Sequence, residues 1–343
     1  MNNEWVIILI GMIFGLLISY ASLNKYNTIA GLSVLRNLTV AKTIMLVLGI
    51  GSLLLIPEFM NGLAVYHVKP FYMIGTILGG LIFGVGMSIL GYCPGTLPIS
   101  VGQGAIDALL GVIGGVIGGV VFTLLYPYIL PLLGDDLGKM TLFTLMGGKY
   151  SIAYIFVMII ISFILIFGAF VLHSIDIKQG NSSKKWIVTG IGLALLNAIL
   201  FYQGWQNRPL GASSCYPFVG DTILNIEHNA YYPSLIASGN WQLWFLFGAF
   251  LAGFIYAIFT QTFRFHVTQE LWEEYKGTGK AKRIAYALLG GFILIFGARM
   301  ADGCTSGHII SGGMQFAISS YVFAIATFIG FLTTGHLFYK KKK

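Results

Sequence analysis

Apolar residues run through this chain in blocks too long for the alternation of a strand or the one-sided stripe of a surface helix. Stretches near or above about 18 residues recur from end to end, and that length crosses a hydrocarbon core of about 30 Å as a single α-helix. They predict nine spans, at 4–22, 40–57, 70–90, 105–130, 150–173, 186–204, 241–262, 284–301 and 316–338. The first carries Glu4 and no base ahead of its apolar run, unlike a cleavable signal, and further spans follow at once. It is expected to stay in the mature protein.

Composition agrees with the pattern. Hydrophobic residues make up 57% of the chain, charged residues only 9%, and mean hydropathy is +0.83. A soluble domain cannot enclose that much apolar surface. The 45 glycines fit membrane helices whose backbones approach closely, and Gly111, Gly115 and Gly119 read as one packing face. The predicted class is an all-α polytopic membrane protein.

Nine crossings put the two termini on opposite sides, and the bases divide unevenly between those sides. One side holds Lys25, Arg36 and Lys42, then Lys178, Lys184 and Lys185, then Arg264, Lys276, Lys280, Lys282 and Arg283, and finally Lys340 to Lys343, fifteen of the 20 bases. The other keeps Lys69, Lys139, Lys149, Arg208 and Arg299. The positive-inside bias places the N-terminus outside and the lysine tail in the cytoplasm of a bacterial inner membrane. The +8 net charge then serves orientation and contact with anionic lipid, not nucleic acid.

The segment from Leu78 to Gly102 returns about 211 residues later. Gly79-Gly80 answers to Gly290-Gly291, Gly86 to Gly297, Cys93 to Cys304, Ser100 to Ser311 and Gly102 to Gly313. A weaker echo sets Gly31 and Ser33 against Gly211 and Ser213. Five crossings separate equivalent points, so the second copy enters the membrane upside down, as in many transporters. The expected organisation is a first half at 1–148, a linking helix and loop at 149–185, and an inverted second half at 186–343.

Both repeat cysteines lie in polar, glycine-bearing stretches, GYCPGTLPIS and DGCTSGHIISGG. Gly91, Pro94, Gly95 and Gly303 stop the long helices there. Thr96, Thr305, Ser306 and His308 do not belong in lipid. The stretches are expected to fold back as short re-entrant helices that meet near the midplane, their N-termini and free N–H groups aimed at an anion. No C-x-x-C pair or His/Cys cluster appears, so neither a metal nor a cofactor is expected. A thiol is a weak, polarizable donor suited to a soft sulfur acceptor, and its neutral form does not repel a dianion.

At these residues the chain resembles the YeeE/YedE sulfur-transport family of bacterial membrane proteins. The resemblance rests on GYCPGT at Gly91 to Thr96, ARMADGCTSGHIISG at Ala298 to Gly312, and RPLGASSCYPFVGD at Arg208 to Asp221, and it covers nearly the whole chain. It implies thiosulfate uptake through an hourglass-shaped protein whose cysteines relay the ion, a role that falls on Cys93 and Cys304. Gly307, Ser213 and Ser214 lie in the same motifs. Thiosulfate-transporting members also carry a cysteine early in the first half; none precedes Cys93 here, and Cys215 sits in the second half. A selenium-containing or other sulfur anion stays open, as does a cytoplasmic sulfur-handling partner.

Charges near the membrane are costly and need partners. Arg299 and Asp302, three apart at a helix end, read as a local salt bridge. Arg208 reads equally as an attractor of anions and as an interfacial base, His308 as an anion donor or a structural histidine, and Asp107 as a capping carboxylate. The segment from His266 to Arg283 reads as a connector without chemistry. The rival class, a membrane sulfurtransferase, needs an activated thiolate, and Cys93 has no base within ten residues. No phosphate-binding loop of the ATPase type is present.

Overall fold

The computed structural model describes residues 4–340. Lys341 to Lys343, at the end of the basic tail, lie outside them. Every predicted span is a helix. In chain order the α-helices are α1 (Glu4–Tyr20), α2 (Tyr26–Ser33), α3 (Thr39–Met60), α4 (Met73–Leu90), α5 (Leu97–Gly102), α6 (Ile106–Ile129), α7 (Leu142–Leu145), α8 (Ile152–Lys178), α9 (Lys185–Phe201), α10 (Cys215–Ile223), α11 (Tyr232–Phe259), α12 (Glu270–Lys276), α13 (Lys280–Met300) and α14 (Ile318–Phe338). A π-helical stretch, Thr305–Gly312, lies between the last two. Seven of them, α3, α4, α6, α8, α11, α13 and α14, are long and apolar enough to cross a bilayer. The remaining two predicted spans are α1 and α9, each of 17 residues, about 25 Å at the rise of an α-helix and at the short limit for a crossing. The protein is a multi-pass, all-helical membrane protein.

Packing is reciprocal. α1 lies on α11 and α9 on α3; α6 lies on α13 and α14 on α4; α4 and α13 meet each other. Glycine makes these approaches possible. A side chain at Gly291 of α13 would strike the Gly111 carbonyl of α6, and one at Gly114 the Leu288 carbonyl of α13. On α4 and α14 the same holds for Gly84 against Thr327 and Gly330 against Leu81. Of the predicted glycine face on α6, Gly115 lies between Ile295 of α13 and Tyr216 of α10, Gly119 meets Pro217 of α10, and Gly111 meets Leu90 and Leu97. α8 packs on α3 and is otherwise largely uncovered, with Phe156, Phe163 and Phe167 exposed as lipid-facing residues are.

Two of the bases that the charge distribution counts as surface groups are internal. Arg283 is fully buried and holds Asp107 through Nε at 3.0 Å and Nη2 at 2.6 Å, while its Nη2 also reaches the Leu90 carbonyl at 2.6 Å, at the end of α4. Gln269, just before α12, donates to Asp107 at 2.8 Å. Lys42 pairs with Asp176 at 2.5 Å and ties α3 to α8. Asp107 is therefore an ion-pair partner at the seam between α6 and α13, not a capping group, and the connector from His266 to Arg283 supplies two of its contacts.

Candidate functional site

The two repeat loops are built alike. α4 ends at Gly91, whose φ of 76° lies in the left-handed region, and a Cβ there would run into the ring of Tyr26. At the equivalent place after α13 the chain puts Asp302, with φ 54°, a conformation that Asp tolerates better than most residues. Cys93 follows the first turn, and its carbonyl accepts from the N–H of Thr96 and of Leu97, both at 3.0 Å, to start α5. The Thr96 hydroxyl closes the loop on the Cys93 N–H at 3.1 Å. Cys304 follows the second turn, and its carbonyl accepts from the His308 N–H at 2.8 Å as the π-helical stretch begins. Each cysteine thus stands at the N-terminal end of a short helix. Behind them, Asn24 donates to Ser100 at 3.2 Å and Ser311 donates to Asn197 at 3.2 Å, so the polar groups deeper in both loops are satisfied by the protein.

Tyr216 of α10 brings the two loops together. Its hydroxyl donates to the Pro94 carbonyl at 2.7 Å, and its ring lies within electrostatic reach of Cys93, Cys215 and Cys304. All three cysteines are free, and Cys93 and Cys304 are near enough to sense each other's charge. Cys215, which the sequence places apart from the repeat loops, belongs to the same cluster. Its thiol lies 3.7 Å from the Ala212 carbonyl, within electrostatic reach of Arg299.

Cavities flank the cluster. A small apolar one of about 80 Å³ is lined by Cys93, Gly95 and Thr96 together with Thr305, Ser306 and residues of α1, α2 and α3. The Thr305 hydroxyl is buried on its wall with no partner of its own. A wide polar cavity of about 1050 Å³ lies near the start of α2, between Asn24, Lys25, Gln103 and the segment from Gln261 to Glu273. Lys25 donates to Gln103 at 2.6 Å, and burial together with nearby Arg264 lowers its pKa. A third cavity, about 380 Å³, lies at the other end of α13 and is lined by Cys304, Gly303, Gly307, Ser213, Ser214 and the cations Lys69, Lys139, Arg208 and Arg299. α13 is 21 residues long, so Arg283 near its start and Arg299 near its finish stand about 24 Å apart.

Several expectations change here. Arg299 does not pair with Asp302. It is buried and donates to Ser213 Oγ at 2.5 Å and Ser214 Oγ at 3.0 Å, while Asp302 is engaged by Lys69 at 3.2 Å. The left-handed turn at Asp302 takes it out of the helix in which a three-residue spacing would have brought the pair together. His308 is occupied by the protein, Nε2 with the Ala301 carbonyl at 2.7 Å and Nδ1 with Ser320 at 3.2 Å, and its ring stacks on Phe323. It lines neither the apolar nor the cation-lined cavity. Arg208 lies over the ring of Trp241 at 4.2 Å, its Nε without a partner, and burial lowers its pKa to about 10, so it stays charged at neutral pH. His67 on the same wall is pushed the other way from charge: burial lowers its pKa and keeps the ring neutral.

A family model described as sulphur transport matches residues 6–333. The chain belongs to the sulphur transport family. Among curated relatives, the thiosulfate transporter TsuA of Spirochaeta thermophila is 21% identical over 347 residues, covering 98% of this chain and 99% of the relative. The probable transporter YedE of Escherichia coli K12 is 48% identical over 48 residues, 14% of this chain and 12% of that protein. A chain of the sulphur transport family is a transport protein for a sulfur-containing anion and not an enzyme.

Proposed function

We propose that this protein imports thiosulfate across the bacterial inner membrane, passing the ion between neutral cysteine thiols at a central constriction. In this reading the cation-lined cavity is the outer entrance and the wide polar cavity the cytoplasmic exit, with the N-terminus outside and the C-terminus inside. Residues 1–148 and 186–343 are the two inverted halves and 149–185 links them. The observation that carries the reading is the gathering of Cys93 and Cys304, from loops 211 residues apart, around one tyrosine between a cationic and an apolar cavity.

Four cations at the entrance raise the local concentration of a dianion. Cys304 meets it there, with Cys215 buried close behind, and the apolar wall beyond, with the thiol of Cys93 and the hydroxyls of Thr96 and Thr305, offers only weak contacts. Weak contacts in series let the ion leave as readily as it enters. A cytoplasmic sulfur-handling protein is the expected recipient.

The test supplies thiosulfate as sole sulfur source to cells without their own uptake system and compares wild type with Cys93→Ala, Cys304→Ala and Cys215→Ala. Growth is expected to fail for the first two and to weaken for the third; normal growth of the first two removes the relay. In liposomes the label must accumulate with its S–S bond intact, and uptake is expected to fall as a pore thiol ionises at alkaline pH.

A further inference from the structure

Among the described residues three lysines and arginines are fully or almost fully enclosed, and two of them have a carboxylate: Lys42 with Asp176 and Arg283 with Asp107. Arg299, 2% exposed, makes no ion pair among the described residues. Two neutral hydroxyls accept from its Nη atoms, and its Nε is buried with no partner. Hydroxyls satisfy N–H groups but do not neutralise a charge, and an uncompensated buried cation is costly. The nearest acid, Asp302, is held by Lys69.

The repeat sharpens the point. At the offset of 211 residues Arg299 corresponds to Ser88, whose buried hydroxyl has no partner, and Ser33, the counterpart of Ser213, turns its hydroxyl onto its own backbone at Ala30, at 2.7 Å. The cation and its contacts to Ser213 and Ser214 therefore have no counterpart in the first copy, where a symmetric structural role would have placed one.

Resting on the transport reading above, we infer that Arg299, Ser213 and Ser214 seat the oxygen-bearing end of the cargo, and so restrict it to ions that join an anionic –SO₃ group to a soft terminal atom. A guanidinium fork matches two oxygens of such a group. A serine hydroxyl that accepts from arginine keeps its own proton to donate to an oxygen. Cys304, on the same cavity wall, then faces the terminal sulfur or selenium. Sulfate presents the oxygens without the soft end, so it occupies the seat and is not passed on. The one-sided cation makes the two ends of the passage unequal in affinity, with the seat at the mouth that holds Arg299, while the net direction of flow follows the gradient of the cargo.

The experiment uses the full-length protein in liposomes with labelled thiosulfate and sulfate, and compares wild type, Arg299→Lys and the double variant Ser213→Ala/Ser214→Ala. The lysine variant keeps the charge and loses the fork. KM for thiosulfate is expected to rise at least about tenfold in both variants, the size of losing a charge-assisted hydrogen bond. Sulfate is expected to compete in wild type without accumulating, and to lose that competition in the variants. A purely structural arginine lowers the yield of monodisperse protein or the maximal rate but leaves KM and sulfate competition unchanged; that result in the serine pair, which is less exposed to misfolding, overturns the inference. Absence of uptake by wild type defeats the transport reading itself, whereas uptake by wild type with unchanged variants defeats only the seat.

Discussion

Asp107 and Arg283 are both fully enclosed, and each is the reason the other can stay charged. Asp107→Ala is expected to destabilise the protein by about 3–5 kcal/mol, because it strands a guanidinium between α6 and α13. Replacing both groups together by Leu and Met should recover much of that loss, and thermal unfolding in detergent distinguishes the two. Gly307 offers the opposite case, since a Cβ there meets nothing within 4 Å and the residue lines the cation-lined cavity. Gly307→Ala is expected to fold normally and to slow uptake by narrowing the passage. Burial disfavours the charged form of His67, so between pH 8 and pH 7 it is more fully neutral than a free imidazole, and uptake should change less than about twofold across that range. The motif cysteines were legible as a pair from the sequence, because their loops repeat. Arg299 was not, because its serines lie 85 and 86 residues away and the acid three residues on looked like the obvious partner.

Helices of this protein were the easiest part to read, since in lipid an uninterrupted apolar block has no alternative to helix. The largest discrepancy is α11, which starts at Tyr232, nine residues ahead of its predicted span. Its first turns carry Pro233, Ser234, Ser238 and Asn240, which a hydropathy reading treats as loop, but proline is welcome at a helix start and Tyr231 packs on Phe122 and Tyr126 to anchor it. Tertiary approach is where the pattern of glycines misleads: the regular four-residue series on α6 is shared between α10, α13 and the ends of α4 and α5, while Gly114 and Gly118 make the backbone approach to α13. Gly291→Leu is expected to force α6 and α13 apart and to abolish recovery of monodisperse protein, whereas Gly279→Ala, at an ordinary φ with only Lys282 at 3.8 Å, should leave it unchanged.

Across the whole molecule the largest helix contacts join elements far apart in the chain, α6 with α13, α4 with α14 and α13, α1 with α11 and α3 with α9. The proposed inversion of the two copies rests on an odd number of crossings, counted from the sequence, while the inequality of the two mouths depends on which side chains the fold buries. Single-cysteine variants test the proposed orientation. With a charged, membrane-impermeant thiol reagent, a protein retaining only Cys304 should label in whole cells, and one retaining only Cys93 should label preferentially in inside-out vesicles. α8 packs chiefly on α3, through Lys42 with Asp176 and His173 and through Gly49 against Ser162 and Ile166, while Phe170 and His173 also meet Trp186 of α9. A chain severed after Gly180 therefore keeps that helix with the N-terminal fragment, and because each fragment offers the other a ready-made surface, two separately translated polypeptides, 1–180 and 181–343, are expected to find one another in the bilayer and co-purify as a working carrier.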